Sequence, residues 1–159
     1  MAAVDHGADA VYIGAQRFGA RAAAGNSVED IASLCRYAHK FAVKVYVTVN
    51  TILYDEELDA TEKLVWQLYE AGVDALIVAD MGGAAAIHCA MPHVALHAST
   101  QASGHSVAAA KELAALGFSR MVLAREASAT DMQHFVKECG METEVFVHGA
   151  LCVSHSGQC

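Results

Sequence analysis

A glycine followed by a short apolar run recurs along this chain, and that repeat limits the possible folds more than any other feature. The three clearest examples are HGADAVYIG at Gly7, AGVDALIVAD at Gly72 and LGFSRMVLAR at Gly117. In each, the glycine stands where a helix would end, and residues typical of a strand follow it. Because strands that alternate with helices pair in parallel through right-handed crossovers, the repeat predicts an α/β fold.

The repeat extends to six strands and five helices. We predict strands near residues 10–14, 43–50, 74–80, 94–100, 120–125 and 143–148. The predicted helices lie near residues 27–41, 56–71, 82–90, 104–116 and 128–139, and residues 1–6 resemble the last turns of one more helix. No Pro-rich, Gly-rich or Ser-rich linker interrupts the pattern, so residues 1–159 are expected to form a single domain.

Several predicted strands have one apolar side and one mixed polar side. Along VKVYVTVN the two sides are Val43, Val45, Val47 and Val49 against Lys44, Tyr46, Thr48 and Asn50. VALHASTQ and TEVFVHG alternate similarly, so that Val145 and Val147 would face helices. Central strands of an open doubly wound sheet instead read as continuous apolar runs, because helices cover both faces. A barrel strand turns one face towards the lumen, so we predict a partial (β/α) TIM-like barrel of about six strands, with the open sheet as the alternative.

Composition excludes several classes of protein. A chain of 159 residues that is 55% hydrophobic and has one proline can bury one sizeable core. No apolar run reaches the roughly 18 residues of a membrane-spanning helix, and the N-terminus lacks signal-peptide order, so we expect a cytoplasmic protein with no membrane span. The net charge of -8 disfavours nucleic-acid binding by this segment alone. Three of the five cysteines lie in helical patterns, which argues against a disulfide framework.

Barrel enzymes carry their chemistry at the carboxyl ends of the strands. The polar residues predicted there, which we take as catalytic candidates, are Asn50, Asp80, Gln101, Glu126 and His148. The residues predicted to bind substrate, most of them in AQRFGARAAAGN, are Arg17, Arg21, Asn26 and Arg125. Guanidinium groups beside glycine-rich backbone suit an anion or a carboxylate. The alternatives are a solvated loop for Arg17 and Arg21, helix capping for Asp80 and Glu126, and a buried structural histidine for His148.

The last residues, EVFVHGALCVSHSGQC, concentrate groups that bind metals. His148, Cys152, His155 and Cys159 follow the order H-x3-C-x2-H-x3-C. Thiolates select zinc or iron-sulfur clusters, and imidazole suits zinc and iron. Gly149 and Gly157 would let the backbone wrap a bulky group. Three interpretations stay open: metal or cluster ligation, a Cys152 nucleophile paired with His148 or His155, and structural thiols.

With RFGARAAAGN, VYVTVN, ALIVAD, HASTQAS and MVLARE, this terminal string resembles the peptidase U32 family, also labelled collagenase-like proteases, over essentially the whole chain. The resemblance implies the truncated N-terminal barrel portion of a longer protein. Better-understood members are similar to iron-sulfur enzymes or accessory proteins that hydroxylate transfer or ribosomal RNA bases, or a quinone precursor. Four cysteines hold a [4Fe-4S] cluster in that pattern, and Cys152 and Cys159 match two of them. Whether this chain alone binds a cluster stays open.

The resemblance therefore leads us to expect part of an iron-sulfur-dependent enzyme that hydroxylates RNA bases or a related aromatic substrate. The arginines would hold a small anionic molecule. One alternative is a thiol- or metal-dependent peptidase that uses Cys152 and His148, and another is a non-catalytic, cluster-bearing partner subunit. Because an incomplete barrel has unpaired strand edges, a homodimer through those edges is also expected.

Overall fold

The computed structural model describes residues 1–20, 25–149 and 152–158. Helices and strands alternate along these residues. The helices are α1 (Ala2–Asp5), α2 (Val28–Ala38), α3 (Leu58–Glu70), α4 (Met81–Ala90), α5 (Val107–Ala115) and α6 (Ala129–Glu138). The strands are β1 (Ala10–Gly14), β2 (Lys44–Val49), β3 (Ala75–Val78), β4 (Ala95–Ala98), β5 (Phe118–Val122) and β6 (Glu142–Glu144). Short 3-10 turns lie at His39–Phe41, Asp55–Glu57 and Thr100–Ala102.

The chain divides into two compact units, Met1–Ile77 and Val78–Cys159. Each has parallel strands that lie side by side in chain order, β1-β2-β3 in the first and β4-β5-β6 in the second. A doubly wound sheet reverses its strand order at a switch point, whereas successive neighbours in chain order are typical of a barrel wall. Whether residues 1–159 form a single domain, as the sequence predicts, depends on how these two units associate, and it stays a prediction.

In the first unit, β1 and β2 pair in parallel from Ala10 opposite Lys44 to Gly14 opposite Thr48. The valine side of the second strand is buried as predicted, from Val43 at 4% exposed to Val49 at 1%. Lys44 on the other side is exposed. Tyr46 on that side is buried at 7% exposed, so the alternation in the sequence identifies the uniformly buried valine face, and the other face is mixed.

The helix boundaries follow local signals in the sequence. Ser27 and Ser128 begin α2 and α6 with capping boxes, in which Asp30 and Asp131 bond back to the capping serines. The three glycines of the repeat adopt left-handed φ angles, +85° at Gly7, +88° at Gly72 and +94° at Gly117. A glycine tolerates this conformation where a helix turns into the next strand, which confirms the role predicted for the repeat.

In the second unit, parallel pairing places His97 opposite Arg120, and Arg120 opposite Glu142. These side chains therefore share one side of three adjacent strands. The side chains of Leu96, Ala98 and Met121 are buried. The predicted strands are thus correct in number and order within the unit.

The sixth strand is shorter than predicted, ending at Glu144 instead of at residue 148. Val145 and Val147 are 37% and 91% exposed, so the prediction that both face helices was wrong. The physical reason lies in the neighbouring strand. β5 ends at Val122, whose partner is Glu144, so the residues after Glu144 have no strand residue with which to pair. No helix in the described part of the chain is long and apolar enough to cross a bilayer.

Candidate functional site

Two of the predicted site residues in the first unit fasten the loop that follows β1. The Asn50 side-chain oxygen Oδ1 accepts a hydrogen bond from the Ala20 N–H at 3.0 Å. The Asn26 side chain donates to the Gly14 carbonyl oxygen at 3.0 Å, and Asn26 also donates its backbone N–H to that oxygen. Both asparagines therefore fix where this loop starts and ends, and direct contact with a substrate stays a prediction.

Arg17 is held at the surface of the same loop. Its guanidinium carbon lies 4.7 Å from the centroid of the buried Phe18 ring, a cation–π contact. Phe18 has a φ of +63°, and its carbonyl oxygen accepts from the Thr51 N–H at 3.2 Å. This arrangement presents an exposed cation on a fixed loop. Arg21 lies outside the described residues.

Asp80 and Gln101 follow β3 and β4 in the second unit. The Asp80 carboxylate accepts from the Gly83 N–H at 2.7 Å and caps α4, the structural alternative considered from the sequence. Gln101 lies within the 3-10 turn, where its N–H donates to the Ser99 hydroxyl at 3.2 Å. The observed bonds of both residues shape their turns, and a catalytic role for either stays a prediction.

Glu126 makes a contact that the sequence did not indicate. One oxygen of its carboxylate, Oε1, accepts a hydrogen bond from the Ser156 backbone N–H at 2.8 Å. An Arg125 guanidinium nitrogen lies 3.7 Å from the same oxygen. The Ser156 amide lowers the pKa of the Glu126 carboxyl to about 2, so it is ionised at neutral pH. Capping of α6 was the alternative for Glu126, but Ser128 occupies that position.

Residues 152–158, here called the cysteine segment, rest on the loop after β4. The His155 ring lies 5.0 Å from the His105 ring, centroid to centroid, and Ser156 is 3% exposed. Gly157 has a φ of +86°, and a Cβ atom added there would overlap Ser103 Oγ. Only glycine therefore fits this close approach without rearrangement. The segment is anchored at its centre, while Cys152 itself is exposed.

The predicted metal ligands are only partly accounted for. His148 is exposed and lies beyond β6, so the expectation that it stands at the end of a strand was wrong. In residues 1–20, 25–149 and 152–158, no three His, Cys, Asp or Glu side chains form a group that could hold a metal ion. His148, Cys152 and His155 therefore do not converge on one ion, and Cys159 lies outside the described residues.

A polar cluster on the strands of the second unit was missed as a candidate. Arg120 forms ion pairs with Glu142 at 2.7 Å and with Glu144 at 3.2 Å. Its register partner His97 is 5% exposed, and burial together with the Arg120 charge lowers the His97 pKa to about 4. The period-two alternation around HASTQ had already placed His97 on the polar side. Nothing near Arg120 in the sequence revealed its acidic partners 22 and 24 residues further on.

Comparison with known proteins identifies relatives along the whole chain. The sequence profile of Peptidase family U32 matches residues 1–159. The chain is 48% identical over 157 residues to the 23S rRNA 5-hydroxycytidine synthase of Escherichia coli, covering 99% of this chain and 24% of that protein. It is 39% identical over 158 residues to the tRNA hydroxylation protein P1 of Bacillus subtilis, covering 99% of this chain and 37% of that protein. The chain thus spans well under half the length of both relatives.

A solved structure gives independent information on the fold. The U32 peptidase Mk0906 matches with a TM-score of 0.72 at 12% sequence identity, over 89% of this chain and 63% of that one. At such low identity the similarity concerns the fold alone. It confirms the (β/α) TIM-like class predicted from the alternating strands, against the open doubly wound sheet.

Proposed function

Because this chain belongs to the U32 peptidase family, as its motifs indicated, we propose that it forms part of an enzyme that hydroxylates a base of ribosomal or transfer RNA. The observation that carries the proposal is the 48% identity to a protein named for making 5-hydroxycytidine in 23S rRNA. The 39% identity to a tRNA hydroxylation protein supports the same class of reaction. We place the activity in the cytoplasm, where these RNAs are found, and assign it to a longer protein that contains this region.

Within that activity, we propose that Arg17 in the first unit and Arg125 in the second each bind an anionic group of the substrate. Arg17 is exposed and lies over the Phe18 ring, and a guanidinium group binds a phosphate or a carboxylate through its N–H groups. Arg125 lies 3.7 Å from Glu126, so part of its charge is already balanced. The net charge of -8 means that RNA contacts would be local to such arginines instead of spread over the surface.

We further propose that Cys152 and Cys159 supply two of the four thiolates of a [4Fe-4S] cluster. The donor type fits such a cluster, because Cys152 is an exposed thiol on a segment anchored at its centre. The donor number does not suffice, since Cys35 and Cys139 are buried elsewhere and Cys89 lies on α4. The other two ligands would come from a further part of the protein. When bound, the cluster would supply electron transfer or a site for the substrate.

A peptidase is the second candidate, because the family and the solved relative carry that description. The exposed Cys152 thiol is the residue that we assign to such an activity, as the sequence suggested. A third candidate is a non-catalytic subunit that carries the cluster for a partner. These three functions predict different losses when the same cysteine is removed.

The experiment compares RNA and protein substrates in parallel. The complete gene, or its Cys152→Ala variant, is returned to a strain from which it was deleted, and nucleosides from rRNA and tRNA are analysed by mass spectrometry. We expect a nucleoside with one added oxygen to be lost on deletion, restored by the wild-type gene and not restored by the variant. Unchanged RNA on deletion, with casein or collagen hydrolysis that depends on Cys152, would establish the peptidase instead.

A further inference from the structure

We propose that Glu126 is a positioning residue, which together with residues 101–105 holds the cysteine segment in place before any group binds its thiols. This inference deepens the proposed function, because it rests on the proposed ligands Cys152 and Cys159. It changes the role of Glu126 from the catalytic candidate suggested by the sequence. It also predicts that the arrangement of the segment can be measured without any RNA substrate.

The first support is the bond between Glu126 and Ser156, which lie 30 positions apart in the chain. A carboxylate that accepts a backbone N–H makes a charge-assisted hydrogen bond, which is about twice as strong as a neutral one. The start of α6 does not need this carboxylate, since Ser128 and Asp131 form the capping box there. Glu126 is therefore available to hold the distant segment.

The second support is the packing of the same segment against residues 101–105. Ser156 is 3% exposed, and Gly157 approaches Ser103 so closely that no β-carbon fits. The rings of His155 and His105 are also in contact. Three consecutive residues of the cysteine segment thus contact fixed parts of the second unit, and the Glu126 bond holds the middle one.

The consequence concerns the two thiols on either side of that anchor. Cys152 lies four residues before Ser156 and Cys159 three residues after it. Ordering a flexible backbone opposes ligand binding, and an anchored segment has already lost much of that freedom. We therefore expect Glu126 to strengthen binding of any soft metal to this pair of thiols although it donates no ligand.

The test uses Cd²⁺ as the probe and Cys89→Ser as the background, so that the other exposed thiol does not bind the metal. Glu126→Ala removes the acceptor, whereas Glu126→Gln keeps an oxygen for the Ser156 N–H. Glu126→Ala frees about one residue of backbone, so Cd²⁺ binding should weaken about tenfold, as measured by cadmium–thiolate absorbance. Glu126→Gln should lie between Glu126→Ala and the background protein, because its amide oxygen still accepts from the Ser156 N–H but without the charge. Hydrogen exchange should speed up at the amides of residues 152–154 and 157–158, which Glu126 does not itself bond.

Asp131→Ala is the matched control, because Asp131 also accepts a backbone N–H, from Ser128 at 2.8 Å, but does not contact the segment. It should leave both measurements unchanged. Equal effects of Asp131→Ala and Glu126→Ala, or unchanged Cd²⁺ affinity and exchange in Glu126→Ala, would overturn the inference. If Glu126→Ala does not fold, unchanged Cd²⁺ affinity and unchanged exchange in folded Glu126→Gln would count against it equally. Failure of RNA hydroxylation with these results intact would refute the proposed function alone.

Discussion

Arg120 contacts a single carboxylate oxygen of Glu142 through two of its nitrogens, Nε at 2.9 Å and Nη2 at 2.7 Å. Its third contact, from Nη1 to Glu144, spans 3.2 Å. One cation therefore forms ion pairs with two carboxylates on the last strand. Arg120 lies on β5 and both acidic residues lie on β6, so these ion pairs connect the two strands.

Replacing Arg120 by methionine should destabilise the protein. The Arg120 side chain is 23% exposed and that of Glu144 is 25% exposed. The lost ion pairs are therefore intermediate between fully exposed and fully buried pairs. We expect the free energy of unfolding to fall by about 1–3 kcal/mol. Urea denaturation at neutral pH measures this. Lys111→Met makes the same charge change on an exposed part of α5 and should cost far less. Equal losses in the two variants would refute the role of the ion pairs.

His97 should make stability depend on pH in a defined window. Its pKa is about 4 in the folded protein and near 6.5 in an unfolded chain. Above the unfolded value the ring is neutral in both states. As pH falls towards 4 the unfolded chain binds the proton first, so the free energy of unfolding falls by up to about 3 kcal/mol.

His97→Leu should remove that part of the slope, leaving the contributions of other groups. The measurement is urea denaturation at several pH values between about 4 and 7, comparing the variant with the wild-type protein. A wild-type slope that persists in full in His97→Leu would show that His97 titrates normally. If His97 is instead kept neutral by its burial beside Arg120, the slope of the variant is smaller than that of the wild-type protein.

The sequence predicted the strands well where burial alternates residue by residue. Val43, Val45, Val47 and Val49 are all buried because side chains at every second position of a strand share one face, and this period is visible locally. The same pattern failed at Val145 and Val147. There the strand ends because β5 offers no further partner, which is a fact about another segment.

The candidate site was predictable only where the interaction is local. Asp80 caps α4 three residues away, and capping was already an alternative. By contrast, the partner of Glu126 lies 30 positions along the chain, and the sequence between them does not indicate it. Gly157 has the positive φ that was expected of a glycine in this loop, but the anchoring of the segment was not predicted.

Gly157→Ala should loosen the cysteine segment at its contact with Ser103. An alanine at a φ of +86° is strained by about 1–2 kcal/mol and its Cβ overlaps Ser103 Oγ. Gly140→Ala is the control, because Gly140 also has a positive φ, +66°, but an added Cβ meets nothing within 4 Å. Hydrogen exchange of residues 152–158 should speed up in Gly157→Ala only. Protection that survives in Gly157→Ala would show that the close approach to Ser103 is not needed.

Arg17→Ala should weaken RNA binding by the complete protein if Arg17 contacts a phosphate. Removing one such contact makes the slope of log K against log salt less negative by about 0.7–0.9. Arg36→Ala is the matched control, since Arg36 is exposed on α2 and bonds Ser33. Fluorescence anisotropy with labelled rRNA or tRNA fragments measures both slopes. An unchanged slope in Arg17→Ala would leave Arg17 as a structural part of the loop.

The most direct test of the central claim compares two exposed cysteines in the complete protein. Cys152 lies in the anchored segment and Cys89 on α4, so Cys152→Ser and Cys89→Ser differ in position and not in chemistry. Mass spectrometry of nucleosides from a deletion strain carrying each variant gives the result. The account predicts that the hydroxylated nucleoside disappears with Cys152→Ser and persists with Cys89→Ser. Equal levels of that nucleoside in both strains would contradict it.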